Sequence, residues 1–180
     1  MADENYFSPD SIVALRNYSL AMHSLKAIFE SEETARFTTL VERFGRIDSE
    51  LTRLRKIEAE NIYWQSGLWN NSLKLWFGMG VVFTPPNSDG YPQLLLCHSL
   101  KHRSPIFPEY QVLMRKAAAD VGWDFYQWDE KVGIAKQQSL ATILGEENRI
   151  EAAQRFFREA VDDLEQIMKT HLAGFLEEQM

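Results

Sequence analysis

Cysteine is almost missing from this chain: Cys97 is the single one among 180 residues, so no internal disulfide can form. In the apolar run LLLCH a buried, unreactive thiol is expected there. No apolar run approaches the roughly 18 residues of a membrane span. The opening MADENYFSPD is acidic and has no apolar stretch of the kind that leads a secreted chain, so a cytoplasmic protein without a membrane partner is expected. Glycine-rich phosphate loops are lacking as well, since Gly78 and Gly80 have neither the third glycine nor the following helix of a dinucleotide site. Ser66 in QSGL is outside any G-x-S-x-G elbow. His23, His98, His102 and His171 are scattered, and no pair has the helical spacing of a zinc motif. The sequence therefore assigns no catalytic residue, no cofactor and no metal ligand.

What is present is a composition sized for one hydrophobic core. With 45% hydrophobic and 25% charged residues, a single domain over residues 1–180 is expected. The net charge is −7, and its distribution carries more information than its total. Residues 1–60 hold 8 basic and 11 acidic side chains, residues 146–180 hold 4 and 9, and the middle holds 7 and 6. An acidic protein with this layout has no basic stripe, and a nucleic-acid partner is not expected.

Periodicity divides the chain into a helical hairpin at 8–62, a mixed part at 63–145 and a C-terminal helix at 146–175. Ser8, Pro9 and Asp10 start a first helix, with Ile12, Leu15, Tyr18, Met22, Leu25 and Phe29 on one face. Ser31 with Glu32 and Glu33 starts a second, antiparallel to the first. Its apolar seam Phe37, Leu40, Phe44, Ile47, Leu51 and Leu54 alternates threes and fours like a short coiled coil. Such a seam must pack within the chain or against a second copy.

After Asn71 the period changes to two. Leu73, Leu75, Phe77, Met79, Val81 and Phe83 fall on one side, and Trp76, Gly78, Gly80 and Val82 on the other. Turn residues PPNSDGYP and a second strand from Gln93 to Leu100 complete a hairpin. A helix from Glu109 to Val121 ends at Gly122. A strand WDFYQW follows, with a fourth strand over Lys131 to Lys136, a short helix Ser139 to Leu144 and a long last helix from Glu146. Clustered strands rather than alternating crossovers make this an α+β protein with three to four antiparallel strands.

Three of the five tryptophans crowd the segment from Tyr63 to Phe83. Trp64 and Trp69 are expected at the exit of the helical hairpin and Trp76 on the first strand. Tryptophans are usually spent on core and subunit contacts, so Trp64 and Trp69 join the seam as candidate interface residues. Lys101, His102 and Arg103 follow the second strand and could hold a carboxylate or phosphate, with Trp76 or Trp128 beside them.

A layout of helix, hairpin and helix also occurs in the PD-(D/E)XK nuclease superfamily, whose signature places acids on successive strands. Here the strand QLLLCHSLK carries none, and Asp129, Glu130 and Lys131 have the right residue types in the wrong spacing. Asp89, Glu109, Asp120 and Asp124 complete the carboxylates from which a divergent metal-dependent site would be built. The leading expectation is a non-enzymatic interaction or regulatory module that forms a homo-oligomer, a homodimer in the simplest case, or meets a protein partner. Binding of a small anion near Lys101 to Arg103 is second, and nuclease-like chemistry third.

Overall fold

A computed structural model describes residues 13, 31–47, 49–50, 62–82, 92–128 and 130–179, with the backbone alone described at 49–50, 62–66 and 128. Its centre is an antiparallel sheet of five strands, β2 (Ile62–Asn70), β3 (Leu75–Val82), β4 (Gln93–Lys101), β5 (Asp124–Trp128) and β6 (Lys131–Ser139). A two-residue strand β1 (Ser49–Glu50) extends one edge, giving the order β1-β2-β3-β4-β6-β5. The helices are α1 (Glu32–Gly45), α2 (Glu109–Val121), α3 (Leu140–Leu144), α4 (Arg149–Ile167) and α5 (Ala173–Glu178). The α+β class expected from the sequence is what the structure has, with five strands in place of three to four.

The alternation read in β3 is real. Leu75, Phe77, Met79 and Val81 are fully buried, and their partners Leu100, His98, Leu96 and Leu94 share that face. Val132 and Ile134 extend it onto β6. Helix α4 supplies the opposing surface through Ala153, Phe156, Phe157, Ala160, Val161 and Leu164, at i, i+3, i+4 spacing. Each fully buried Phe or Leu on this interface contributes roughly 1.5–3 kcal/mol of apolar burial. Past Ile167 the helix widens into a π turn, Met168–Leu172, which inserts a residue into the repeat yet keeps Met168, Leu172 and Leu176 in the core. Lys136 on β6 and the Trp123 indole both donate to Asp163 of α4, at 2.8 and 3.0 Å, fastening helix to sheet on the far side of the core.

The second helix is shorter than its seam implies. α1 stops at Gly45, Arg46 turns left-handed at φ 51°, and the chain is extended by Ser49. Phe37 and Leu40 are buried in the core, while Phe44 and Ile47 pack against it. Ile47 belongs to the exit from the helix and not to the helix itself, so the heptad-like spacing does not extend across one continuous element. Leu51 and Leu54, the first helix and the remainder of the hairpin lie outside the described residues. Asn70 explains the stop. Its side-chain amide donates to the carbonyls of Gly45 at 3.3 Å and Arg46 at 3.0 Å, and its side-chain oxygen accepts from the Leu73 N–H at 2.8 Å. One buried side chain thus caps the end of α1 and closes the β2–β3 turn.

The segment carrying Trp64 and Trp69 is strand β2, not the exit of a helical hairpin. Its register shifts between Trp64 and Ser66, a bulge that places positions 64 and 69 opposite Gly80 and Trp76, on the same face of the sheet. Without the extra residue the odd spacing of the two tryptophans would put them on opposite faces. The C-terminal helix also departs in one place from its expected face, since Ile150 is 44% exposed.

Replacing Asn70 with alanine removes all three bonds in a buried site. The Asn70→Ala protein is expected to lose about 2–4 kcal/mol in urea unfolding, with α1 losing helicity first. A loss under about 0.5 kcal/mol would show that the cap does not hold this junction.

Candidate functional site

The residues that could do chemistry fall on the two faces of β3, β4 and β6. On the helix side sits His98, fully buried in a row of leucines. It stacks on Phe77 with ring centroids 3.9 Å apart and meets Tyr110 of α2 edge-on. Its Nδ1 lies 3.1 Å from the Trp76 carbonyl and its Nε2 lies 2.9 Å from the Tyr110 hydroxyl. A carbonyl only accepts, so Nδ1 carries the proton and Nε2 accepts from the Tyr110 O–H. Both ring nitrogens are thereby satisfied by neutral partners. Burial pushes the His98 pKa down to about 3, with the Trp76 bond opposing that shift, and the ring stays neutral at physiological pH. This histidine is a structural pillar between β4 and α2, with no solvent path for acid–base work.

The second face has a floor of small residues. Gly78 and Gly80 are buried on β3, Cys97 and Ser99 on β4, and Gly133 and Ala135 on β6. Aromatic side chains stand along it. Tyr126 lies across Gly133, where a Cβ would run into its hydroxyl and ring, and the hydroxyl is hydrogen-bonded to Cys97. Burial lifts the Cys97 thiol to about 12, so it is no thiolate nucleophile at neutral pH. Trp69 and Trp76, paired across β2 and β3, hold their rings 6.1 Å apart at a 44° tilt.

At one end of this face lie the cations. Lys101 of β4 is directly opposite Lys131 of β6, and Lys101 N donates to the Lys74 carbonyl of the β2–β3 turn at 3.2 Å. Two like charges facing each other across a ladder oppose its pairing. Each is offset by an indole: Lys101 Nζ sits 5.4 Å from the Trp69 ring centroid and Lys131 Nζ 5.9 Å from that of Trp76.

The triad Lys101, His102 and Arg103 is therefore split. Lys101 joins the tryptophan face, whereas His102 packs its ring on Phe107 at 4.8 Å while its backbone N–H donates to Glu130. Arg103 is exposed in the turn. His102 Nε2 is buried with no hydrogen-bond partner among the described residues. Trp76 does reach the cations, through Lys131. Trp128 is opposite Lys131 in the β5–β6 register, with its side chain outside the described residues, as is that of Trp64. Sequence reading missed Lys131 as a neighbour of Lys101, because only the β4–β6 register, across 29 residues of intervening chain, brings them together.

The carboxylates weighed for a metal site are dispersed. Asp120 pairs with His171 at 3.0 Å, Asp124 accepts from Gln137 at 3.3 Å and Glu109 opens α2, while Asp89 and Asp129 lie outside the described residues. Among the described residues no three of His, Cys, Asp and Glu gather as metal ligands, and no helix is long and apolar enough to cross a membrane. No protein-family model matches the chain, and no curated protein or solved structure resembles it at a significant level.

The buried histidine makes stability sensitive to mild acid. Its folded pKa is depressed, so its contribution is complete above about pH 6.5, the unfolded value, and is lost as pH falls towards the folded value of about 3. Between pH 6.5 and 5 the wild type should lose about 1 kcal/mol per pH unit in urea titrations, and His98→Asn should lose much less. Tyr110→Phe strands Nε2 and should cost about 1–3 kcal/mol at pH 7. Parallel pH profiles for wild type and His98→Asn would contradict the assignment.

Proposed function

We propose that this chain is a cytoplasmic, non-enzymatic protein-interaction or regulatory module that self-associates. The observation that carries this reading is the edge of the sheet formed by β5, which pairs with β6 on one side and with no described strand on the other. An unpaired edge strand presents a row of backbone donors and acceptors to any extended chain that approaches. The acidic balance of the chain supports a protein partner over a phosphate backbone, since a net charge of −7 repels polyanions. The buried, neutral His98 and the protonated Cys97 favour structural over catalytic use of the two groups most often recruited for chemistry.

A second reading is favoured by one observation, the juxtaposition of Lys101 and Lys131 above Trp69 and Trp76. A small anion bridging the two ammonium groups would relieve their repulsion, with the indoles as its apolar wall. This reading keeps Lys101 of the anionic-ligand site expected at Lys101 to Arg103 and takes Lys131 in place of His102 and Arg103.

Sedimentation velocity across a concentration series tests the first reading: a reversible dimer of the 20.9 kDa chain is expected, and a monomer at every concentration would rule it out. For the second, a thermal-shift screen with phosphate, nucleotides and organic acids should give a rise in melting temperature that Lys101→Ala or Lys131→Ala abolishes. No shift with any anion would remove that reading.

A further inference from the structure

The register of the β5–β6 hairpin fixes which backbone groups of β5 face outward. Trp128 pairs with Lys131 across a two-residue loop, and in such a hairpin the closing pair shares both of its hydrogen bonds. Bonded pairs then alternate along the ladder, so Tyr126 with Gly133 and Asp124 with Ala135 are bonded pairs as well. The neighbouring ladder agrees, because the Glu130 carbonyl accepts from the His102 N–H and so points towards β4. Phe125 and Gln127, the residues between, direct their N–H and C=O groups away from β6, along the edge that no described strand covers.

Chains commonly protect such an edge with a proline, a lysine or a bulge. β5 reads Asp-Phe-Tyr-Gln-Trp with none of these, and its register with β6 is unbroken. The opposite edge of the sheet shows the contrast, since β1 has two residues and β2 behind it is bulged.

We infer that the occupant of this edge is a second copy of β5, paired antiparallel about a twofold axis at Tyr126. In that register Phe125 meets Gln127 of the second copy and Gln127 meets its Phe125, which satisfies all four outward pairs of donors and acceptors. Tyr126 faces Tyr126 across the axis as a non-bonded pair. Asp124, the only charge on the strand, faces position 128 rather than another carboxylate, so no like charges are opposed. An arbitrary peptide would use the same four groups, but the symmetric register closes on itself and leaves no further edge there. The two sheets become continuous through the interface. This inference rests on the reading of the chain as a self-associating module and names its contact.

Gln127→Pro tests it, because the Gln127 N–H points away from β6 and proline there removes only an outward donor. Wild type is expected to sediment as a dimer, while Gln127→Pro, with the circular dichroism of wild type and the melting temperature of wild type diluted to monomer, dissociates at least about tenfold more readily, the loss of about 1.4 kcal/mol. The exposed Gln127 also permits Gln127→Cys, which a short bismaleimide should link across the axis in high yield, with the buried Cys97 no competitor. A wild-type dimer whose affinity Gln127→Pro leaves unchanged would overturn the contact and leave self-association standing. If Gln127→Pro does not fold, a wild-type dimer in which Gln127→Cys fails to link overturns the contact equally. A wild-type monomer overturns both readings.

Discussion

Everything in this fold depends on a sheet whose central strands are buried on both faces. β3, β4 and β6 present large apolar side chains to the helices and small ones to the other side, so the same backbone must satisfy two packing problems at once. On the helix side Phe77, Met79, Leu96 and Leu100 join the buried side chains of the helices in one apolar cluster. On the second side Gly78, Cys97, Ser99, Gly133 and Ala135 leave room for rings to lie close to the backbone, as Tyr126 does over Gly133. The one polar intruder on the helix side, His98, is tolerated because neutral partners complete both of its nitrogens.

That division of labour between faces also sets where the charged groups emerge. Lys101 and Lys131 emerge where the small-residue floor ends, and their positive charges are moderated by the tryptophans beneath. The floor and the cations belong to the interior strands of the sheet, whereas β5 lies at its boundary, with no described strand beyond it. The interaction module proposed would use the doubly buried strands as its rigid frame and meet its partner at β5.

Much of this was legible in the sequence, for physical reasons that differ element by element. Strand β3 announced itself because its two faces demand different side-chain sizes, and α2 because Gly122 ends it in a left-handed turn at φ 73° with its N–H bonded to the Ala118 carbonyl. Strand β2 was hidden because a bulge breaks the period of two at the place where the tryptophans sit. The end of α1 was hidden because Asn70, distant in sequence, caps it, while the apolar spacing runs on through Ile47 as if the helix continued. The Lys101–His102–Arg103 cluster was visible as composition, but neighbours along a strand end point in different directions, and the residue opposite Lys101, Lys131, is a matter of register. The outward groups of β5 were likewise invisible until the hairpin register was known.

The most direct measurement is amide hydrogen exchange at β5, resolved by residue and followed against protein concentration. If copies of the chain pair through this edge, the Phe125 and Gln127 amides exchange quickly in dilute solution and gain protection as concentration rises. The Tyr126 amide, bonded to Gly133 in either state, stays protected throughout. Protection of Phe125 and Gln127 that does not change with concentration would contradict the account.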